Sequence, residues 1–429
     1  MRNKGVEKSK TGSSLYEYAF VSVPENQRKK SRGLFYILTG YTSALSCLVI
    51  GAKIGAALPF WHAIAACFLG DFVLILIGTS MGILSSKTGW STAFLSQKML
   101  GKSVSVILSI LIIICSVFWI GINGSLFASM FISVFPAWPI PVSITSLAII
   151  AIWSYSATYG WGGLETTSKI VVPCSLILLF YAMFQLFVKM KGIDFLFVPP
   201  ITVPMTFSAA STAIIGNYVF GCIITPDTCR FAKTPKKVAL VCPCAYIVGL
   251  FLFNVCGIIV TKAGGFSNFI RATVAVGLVV PMLLCSIFCL ATTQNINAYG
   301  GSLAIQNIFQ GTSLEGNVSH KVTVYIIGGL AAAISVSGIG NYLVSVVSSF
   351  AILMVPFPGM LLGEFLFFRE KTKERKLEKY SIAVWAAGSL SGFLFLKMNL
   401  PVAPFWEMLF SGICYIIINK IQRKNSHLV

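Results

Sequence analysis

Runs of roughly 20 mostly apolar residues recur along nearly the whole chain, each long enough to cross a hydrocarbon core of about 30 Å as a helix. Twelve can be placed, at about 34–56, 61–82, 104–129, 141–158, 169–188, 207–226, 239–261, 274–299, 322–343, 346–367, 380–396 and 401–419. Hydrocarbon offers backbone N–H and C=O groups no partner, so such runs must satisfy themselves as helices. The fold class that follows is an all-α polytopic membrane protein with 12 transmembrane helices. Composition agrees: 10% of the 429 residues are charged, against about a quarter in a soluble domain.

Charge then orients the bundle. Residues 1–33 carry eight Lys or Arg and no secretory signal pattern, which reads as a cytoplasmic tail. With that end inside, cytoplasmic segments hold 26 of the 32 Lys and Arg; Lys53, Lys189, Lys191, Lys262, Arg271 and Lys397 are the remainder. Positive loops resist translocation, so both termini, including the tail at 420–429, are expected on the cytoplasmic side of the plasma membrane. The net charge of +19 therefore reads as topology plus attraction to the lipid bilayer's anionic heads, not as a nucleic-acid surface. The 12 cysteines are scattered, and His62, His320 and His427 are dispersed, so no metal cluster or cofactor site is expected. Without a close catalytic constellation the chain does not read as an enzyme.

Spans one and six stand out. Span one, "LTGYTSALSCLVIGAKIGAAL", holds Gly40, Gly51 and Gly55 among small hydroxyl residues, with Lys53 near its end. Span six holds Gly216, Asn217, Gly221 and Pro226. Glycine and hydroxyl residues weaken helices, and freed backbone survives in a membrane only beside a cavity or ligand. Both spans are therefore expected to be broken, at corresponding places in two repeats, which is the sequence pointer to a transporter site. The units they lead are two inverted five-helix repeats, 34–189 and 207–367, leaving the spans within 380–419 as extras. Tight helix packing through small residues is the competing explanation.

The remaining polar residues suggest what such a site holds. Trp119 lies mid-span, away from the interfacial belt where tryptophan gathers. Ser116 and Asn123, at i−3 and i+4, share its helical face. Tyr218 supplies a second aromatic surface, and Asn217 both a donor and an acceptor. A break near Gly221 would expose backbone groups able to read the edge of a flat, polar ring. In span eight, Thr292 and Thr293 follow Cys289 by one turn, offering hydroxyls and a carbonyl as half of an oxygen cage for sodium. Asp71 is the best intramembrane candidate for a proton-coupling role.

Four segments carry a resemblance: "TPDTCRF" (Thr225 to Phe231), "TTQNINAY" (Thr292 to Tyr299), "SSKTG" (Ser85 to Gly89) and "VPFPGMLLGEF" (Val355 to Phe365). Through them the chain resembles the nucleobase–cation symporters of the cytosine permease and hydantoin transporter group. The resemblance implies alternating access around a site between spans one, three, six and eight. It implies substrate contacts at Trp119, Tyr218, Asn217, Gly221, Gln294, Ser116 and Asn123. It also implies a sodium site from the carbonyls of Gly40, Ala44 and Cys289 with the hydroxyls of Thr292 and Thr293. The cytosine-permease branch carries glutamine, serine and asparagine where this chain has Ser116, Asn217 and Cys289. The expected activity is import of a nucleobase, cytosine or a related pyrimidine or purine, by sodium symport in a monomer. A hydantoin- or allantoin-like ring, a thiamine-precursor pyrimidine and proton coupling stay open, as does a transport-incompetent receptor on the same scaffold.

Overall fold

The computed structural model describes residues 21–28, 31–315, 317–338, 342–367 and 378–426. Most of the expected N-terminal tail and of the basic loop at 369–379 lies outside the described residues. Each apolar run falls on a helix or a helix pair. In chain order these are α1 (Ser31–Thr42), α2 (Leu45–Ala57), α3 (Phe60–Thr88), α4 (Thr92–Leu100), α5 (Lys102–Val134), α6 (Val142–Ala157), α7 (Gly160–Met190), α8 (Phe207–Cys229) and α9 (Pro235–Tyr246). A π-turn at Ile247–Phe251 leads into α10 (Leu252–Gly264). Then follow α11 (Phe269–Ala275), α12 (Val279–Phe309), α13 (His320–Val336), α14 (Leu343–Met354), α15 (Pro356–Phe367), α16 (Glu378–Lys397) and α17 (Ala403–Ser426).

Among the described residues, eight helical spans are long and apolar enough to cross a bilayer, and nine when the bent pair α1 and α2 counts as one. α9 with α10, and α14 with α15, each form a single such span, while α6 and α13 are apolar but shorter. Two short helices are not visible as apolar runs. α4 begins where the Ser91 hydroxyl accepts from Phe94 N (3.3 Å), and α11 where Asn268 Oδ1 accepts from Arg271 N (3.0 Å). After α11 the chain turns at Gly277 (φ 74°), a left-handed conformation glycine adopts freely. That turn delays the eighth span to Val279.

One expectation is overturned here. The sixth span is not broken: α8 runs unbroken through Gly216, Asn217 and Gly221, with Pro226 in its last turn. Its glycines serve close packing instead. A Cβ at Gly216 would overlap the Val347 carbonyl of α14, and one at Gly221 would strike the Tyr218 and Tyr41 rings. The same device joins α2 to α10, where Gly51 faces the Asn254 carbonyl and Gly257 the Leu48 carbonyl.

The bundle sorts into packed groups: α3 along α8 and α2 along α10, then α5 along α12 with α13 and α6, while α15, α16 and α17 pack together. We call the face where α1 begins the near face and the opposite one the far face. At the near face Val23 N donates to Gly89 O (3.0 Å) and the Arg28 guanidinium to Ser86 O (3.0 Å), tying the start of α1 to the end of α3. At the far face Ile201 N donates to Ala56 O (2.7 Å) and Lys262 Nζ to Val198 O (3.0 Å).

Candidate functional site

The bend between α1 and α2 builds the site. The two axes meet at 47° across Ser43 and Ala44. Thr42 Oγ1 lies within bonding distance of the Leu38, Thr39 and Ala245 carbonyls (2.9, 3.0 and 3.0 Å), and Ser43 Oγ donates to Thr39 O (2.8 Å). Hydroxyls that bond back to their own helix loosen it, and the carbonyls so released are met from other helices. Tyr41 O accepts from the Tyr218 hydroxyl of α8 (2.8 Å), and Gly40 O from Thr292 Oγ1 of α12 (2.7 Å).

Against this bend lies a cavity of about 20 Å³, room for roughly one water. Tyr41, Ala44 and Ser46 line it from the bend, Trp119 and Asn123 from α5, Asn217, Tyr218, Phe220 and Gly221 from α8, and Thr293 and Asn297 from α12. The lining is aromatic and amide-rich, and no charged side chain contributes to it. Asn123 Oδ1 and Asn217 Oδ1 are buried with no hydrogen-bond partner. Buried polar groups are usually paired, so two unpaired amide oxygens beside an indole make this cavity the candidate for a hydrogen-bonding guest.

Five of the seven substrate residues expected from sequence, Trp119, Asn123, Asn217, Tyr218 and Gly221, therefore meet at one cavity. Two do not line it. Ser116 turns to α12, where its Oγ packs against Gly301. Gln294 sits behind the lining, its Oε1 accepting from Asn297 Nδ2 (3.3 Å). Gly221 contributes space rather than a free backbone edge, because α8 is continuous and its carbonyl accepts from Thr225 Oγ1 (3.0 Å). Tyr41, Ser46, Phe220 and Asn297 are the members not expected from sequence. Tyr41 could have been found as the aromatic residue preceding the Thr-Ser break; its ring lies 5.2 Å from that of Tyr218.

The cation ligands expected from sequence converge less completely. Thr292 Oγ1 and Thr293 Oγ1 both reach Cys289 O (3.1 and 2.9 Å) and Gly40 O (2.7 and 3.5 Å). Two carbonyls and two hydroxyls thus share one spot, a neutral, hard-oxygen donor set that suits sodium. Ala44 O accepts from Cys47 N (3.0 Å), capping α2.

The two sides of the cavity differ. Toward the far face a vestibule of about 420 Å³ opens, lined by Val49 and Lys53 of α2, Ile122, Ser125, Leu126 and Ser129 of α5, Ser267 to Ile270 around α11, and Leu343. Toward the near face Asp227 Oδ1 accepts from Thr92 N at the start of α4 (2.8 Å). Arg230 reaches the Asp227 carbonyl (3.1 Å) and the Tyr299 hydroxyl of α12 (2.8 Å). Asp227 and Arg230 thus tie α8 to α4 and α12.

Comparison with known proteins bears on the family and the fold. A family described as "Permease for cytosine/purines, uracil, thiamine, allantoin" matches residues 22–381. The cytosine permease of Escherichia coli (strain K12) is 23% identical over 411 residues, 94% of each chain. Among solved structures, Mhp1, a nucleobase-cation-symport-1 family transporter in a closed conformation with bromovinylhydantoin bound, superposes with a TM-score of 0.78 at 14% identity, covering 95% of this chain and 96% of that one. Its inward-facing conformation gives 0.75 at 16% identity, covering 94% and 93%. A Na+-coupled sialic acid symporter in a substrate-bound outward-open state gives 0.63 at 11% identity, covering 95% and 90%.

Proposed function

The chain belongs to the family of permeases for cytosine and purines, uracil, thiamine and allantoin, membrane transporters and not enzymes, and on that premise we propose that it imports a nucleobase by sodium symport. Cytosine or a related pyrimidine or purine is the substrate we favour. The observation that carries this is the pair of unpartnered amide oxygens, Asn123 Oδ1 and Asn217 Oδ1, beside the Trp119 and Tyr218 rings. A planar ring lies between the two aromatic side chains, worth about 1–3 kcal/mol per stack. Ring N–H groups donate to the asparagine oxygens, and Asn297, steadied by Gln294, reads a further edge. A ligand without those N–H groups leaves buried acceptors unpaired, which is the source of selectivity. The lining carries no charge, which favours a neutral ring and leaves hydantoin-like substrates in the same class.

In this reading the far face is extracellular and both termini are cytoplasmic, and α1–α7 and α8–α15 form the two inverted repeats, with α16 and α17 outside them. The vestibule admits substrate, and the Asp227–Arg230 ties hold the cytoplasmic side shut. A cavity of about 20 Å³ is far below the roughly 300 Å³ at which ligand pockets begin, so it must widen to take a base. Sodium is cargo bound by Gly40 O, Cys289 O, Thr292 and Thr293, where it joins the bend to α12. Coupling requires that cation and substrate favour the same state, so that each raises the other's affinity.

Counterflow in proteoliposomes over a panel of cytosine, uracil, a purine, hydantoin and a hydroxymethylpyrimidine tests the proposal, because a receptor would bind without exchange. Trp119→Ala should cut exchange by one to two orders of magnitude, the loss expected of a stack worth about 1–3 kcal/mol, with unchanged folded yield. Near-normal exchange in that variant would remove the indole from the site.

A further inference from the structure

Asp71 belongs neither to the cavity nor to the sodium ligands, yet it is the most confined acid in the bundle's first group. It is 1% exposed, midway along α3. Asp71, Cys47, Asn217 and Asn254 all lie roughly ten residues from the far ends of their helices, about 15 Å deep. The carboxyl is thus level with the cavity without lining it. Both of its oxygens accept from one nitrogen, Asn254 Nδ2 of α10 (3.2 and 3.1 Å), and Oδ2 also accepts from the Cys67 thiol (3.4 Å).

Its surroundings offer no counter-charge. Cys47 on α2 and Cys222 on α8 are the ionisable groups near enough to sense its charge, besides Cys67 on its own helix. From α9, Tyr246 packs at Gly78, two turns toward the near face, and bonds Thr225. From α15, Glu364 accepts from Tyr415 and Asn419 of α17. Among the described residues no Lys, Arg or His pairs with Asp71. A full negative charge at this depth, held by one amide and one thiol, is costly. The same group with a proton is not.

The partner is equipped for both states. Asn254 Oδ1 is buried and unpaired. With the carboxylate, the amide presents Nδ2 to both oxygens; with the acid, the amide turned over presents Oδ1 to receive the acidic hydrogen. The geometry points to the Asp71–Asn254 pair as a proton-binding site, and to a proton as a second coupling ion of this carrier. The link to the substrate site is short. The Asn254 backbone carbonyl abuts Gly51 of α2, and Cys47, one turn below on that helix, accepts from Asn217 Nδ2 of the cavity wall (3.4 Å). Loading the carboxyl repacks α10 against α2, and α2 carries the change to Asn217.

This inference rests on reading the chain as a symporter, and its test separates the two. In purified protein without substrate, the infrared carbonyl stretch of a protonated carboxylic acid should be present and should be lost in Asp71→Asn. In proteoliposomes at fixed sodium, an inward acid gradient should raise base uptake at least about fivefold, the low end of ordinary coupling. Asp71→Asn should lose that stimulation while keeping counterflow, and Asp71→Glu should keep it with a shifted pH midpoint. Should Asp71→Asn not fold, Asn254→Ala, which removes only the partner, must move the same midpoint. Stimulation that survives in Asp71→Asn, or an unchanged infrared band, overturns the site. Absence of counterflow with every base refutes the substrate reading instead and leaves the infrared band to decide the proton.

Discussion

The first and sixth spans look alike in sequence and behave oppositely in the fold. Both put glycines and hydrogen-bonding residues at mid-membrane. The first bends by 47° between α1 and α2, whereas the sixth stays one helix, α8. The difference lies in who receives the freed backbone. At the bend, the Tyr41 and Gly40 carbonyls are met by Tyr218 and Thr292, donors that arrive from α8 and α12. At Gly216 the neighbour is itself a carbonyl, that of Val347, which can donate nothing. A helix in a membrane breaks only where other helices bring donors for what the break exposes. The break in span one is therefore written partly in spans six and eight.

The sharpest way to break this comparison is to load α8 where it is tightest. Gly216→Leu places a branched side chain against the Val347 carbonyl, which a Cβ alone would already overlap. Overpacking of this kind costs about 1–3 kcal/mol and sometimes more, and here the obstacle is backbone. Loss of folded, monodisperse protein in detergent is expected, read by fluorescence-detected size exclusion. Normal yield and uptake would mean that α8 yields as span one does.

The next test removes the donors that serve the bend. Thr292→Ala with Thr293→Ala strips both hydroxyls from the Gly40 and Cys289 carbonyls. Sodium stimulation of uptake should fall at least about fivefold, the lower bound of a typical coupling energy, with exchange at saturating substrate largely kept. Undiminished stimulation would reduce these hydroxyls to structural partners of the bend.

The same contrast explains what the sequence could and could not reveal. Eight or nine of the twelve expected spans are matched, among the described residues, by helices long and apolar enough to cross, and these were legible because bilayer thickness acts on every run independently of its neighbours. Trp119, Asn123, Asn217 and Tyr218 were legible because an indole and amides at mid-depth have few other uses. Ser116 was misplaced because sharing a face with Trp119 does not decide whether a short side chain meets the cavity or the adjacent helix; Gly301 stands beside it. The continuity of α8 was hidden because a glycine reads alike whether it loosens a helix or admits a neighbour. The far-side vestibule and α11 were hidden too, since they arise where distant segments meet. Lys53, odd for a transmembrane span, lines that vestibule, which gives a long cationic side chain an alternative to hydrocarbon.

The smallest expected effect sharpens the account of the bend itself. Thr42 Oγ1 has one hydrogen and three carbonyls within reach, those of Leu38, Thr39 and Ala245. The last belongs to α9, two residues before the π-turn at Ile247–Phe251, and Gly249 within that turn lies directly against Thr42. If the hydroxyl shaped the bend alone, Thr42→Val would straighten span one and abolish uptake. Because Tyr218 and Thr292 still hold the Tyr41 and Gly40 carbonyls, the bend should persist. The isosteric change should then cost only the one hydrogen bond, about 1 kcal/mol, seen as a small fall in melting temperature with uptake kept. A collapse of uptake at normal stability would place the origin of the bend inside span one, against the view that its neighbours hold it open.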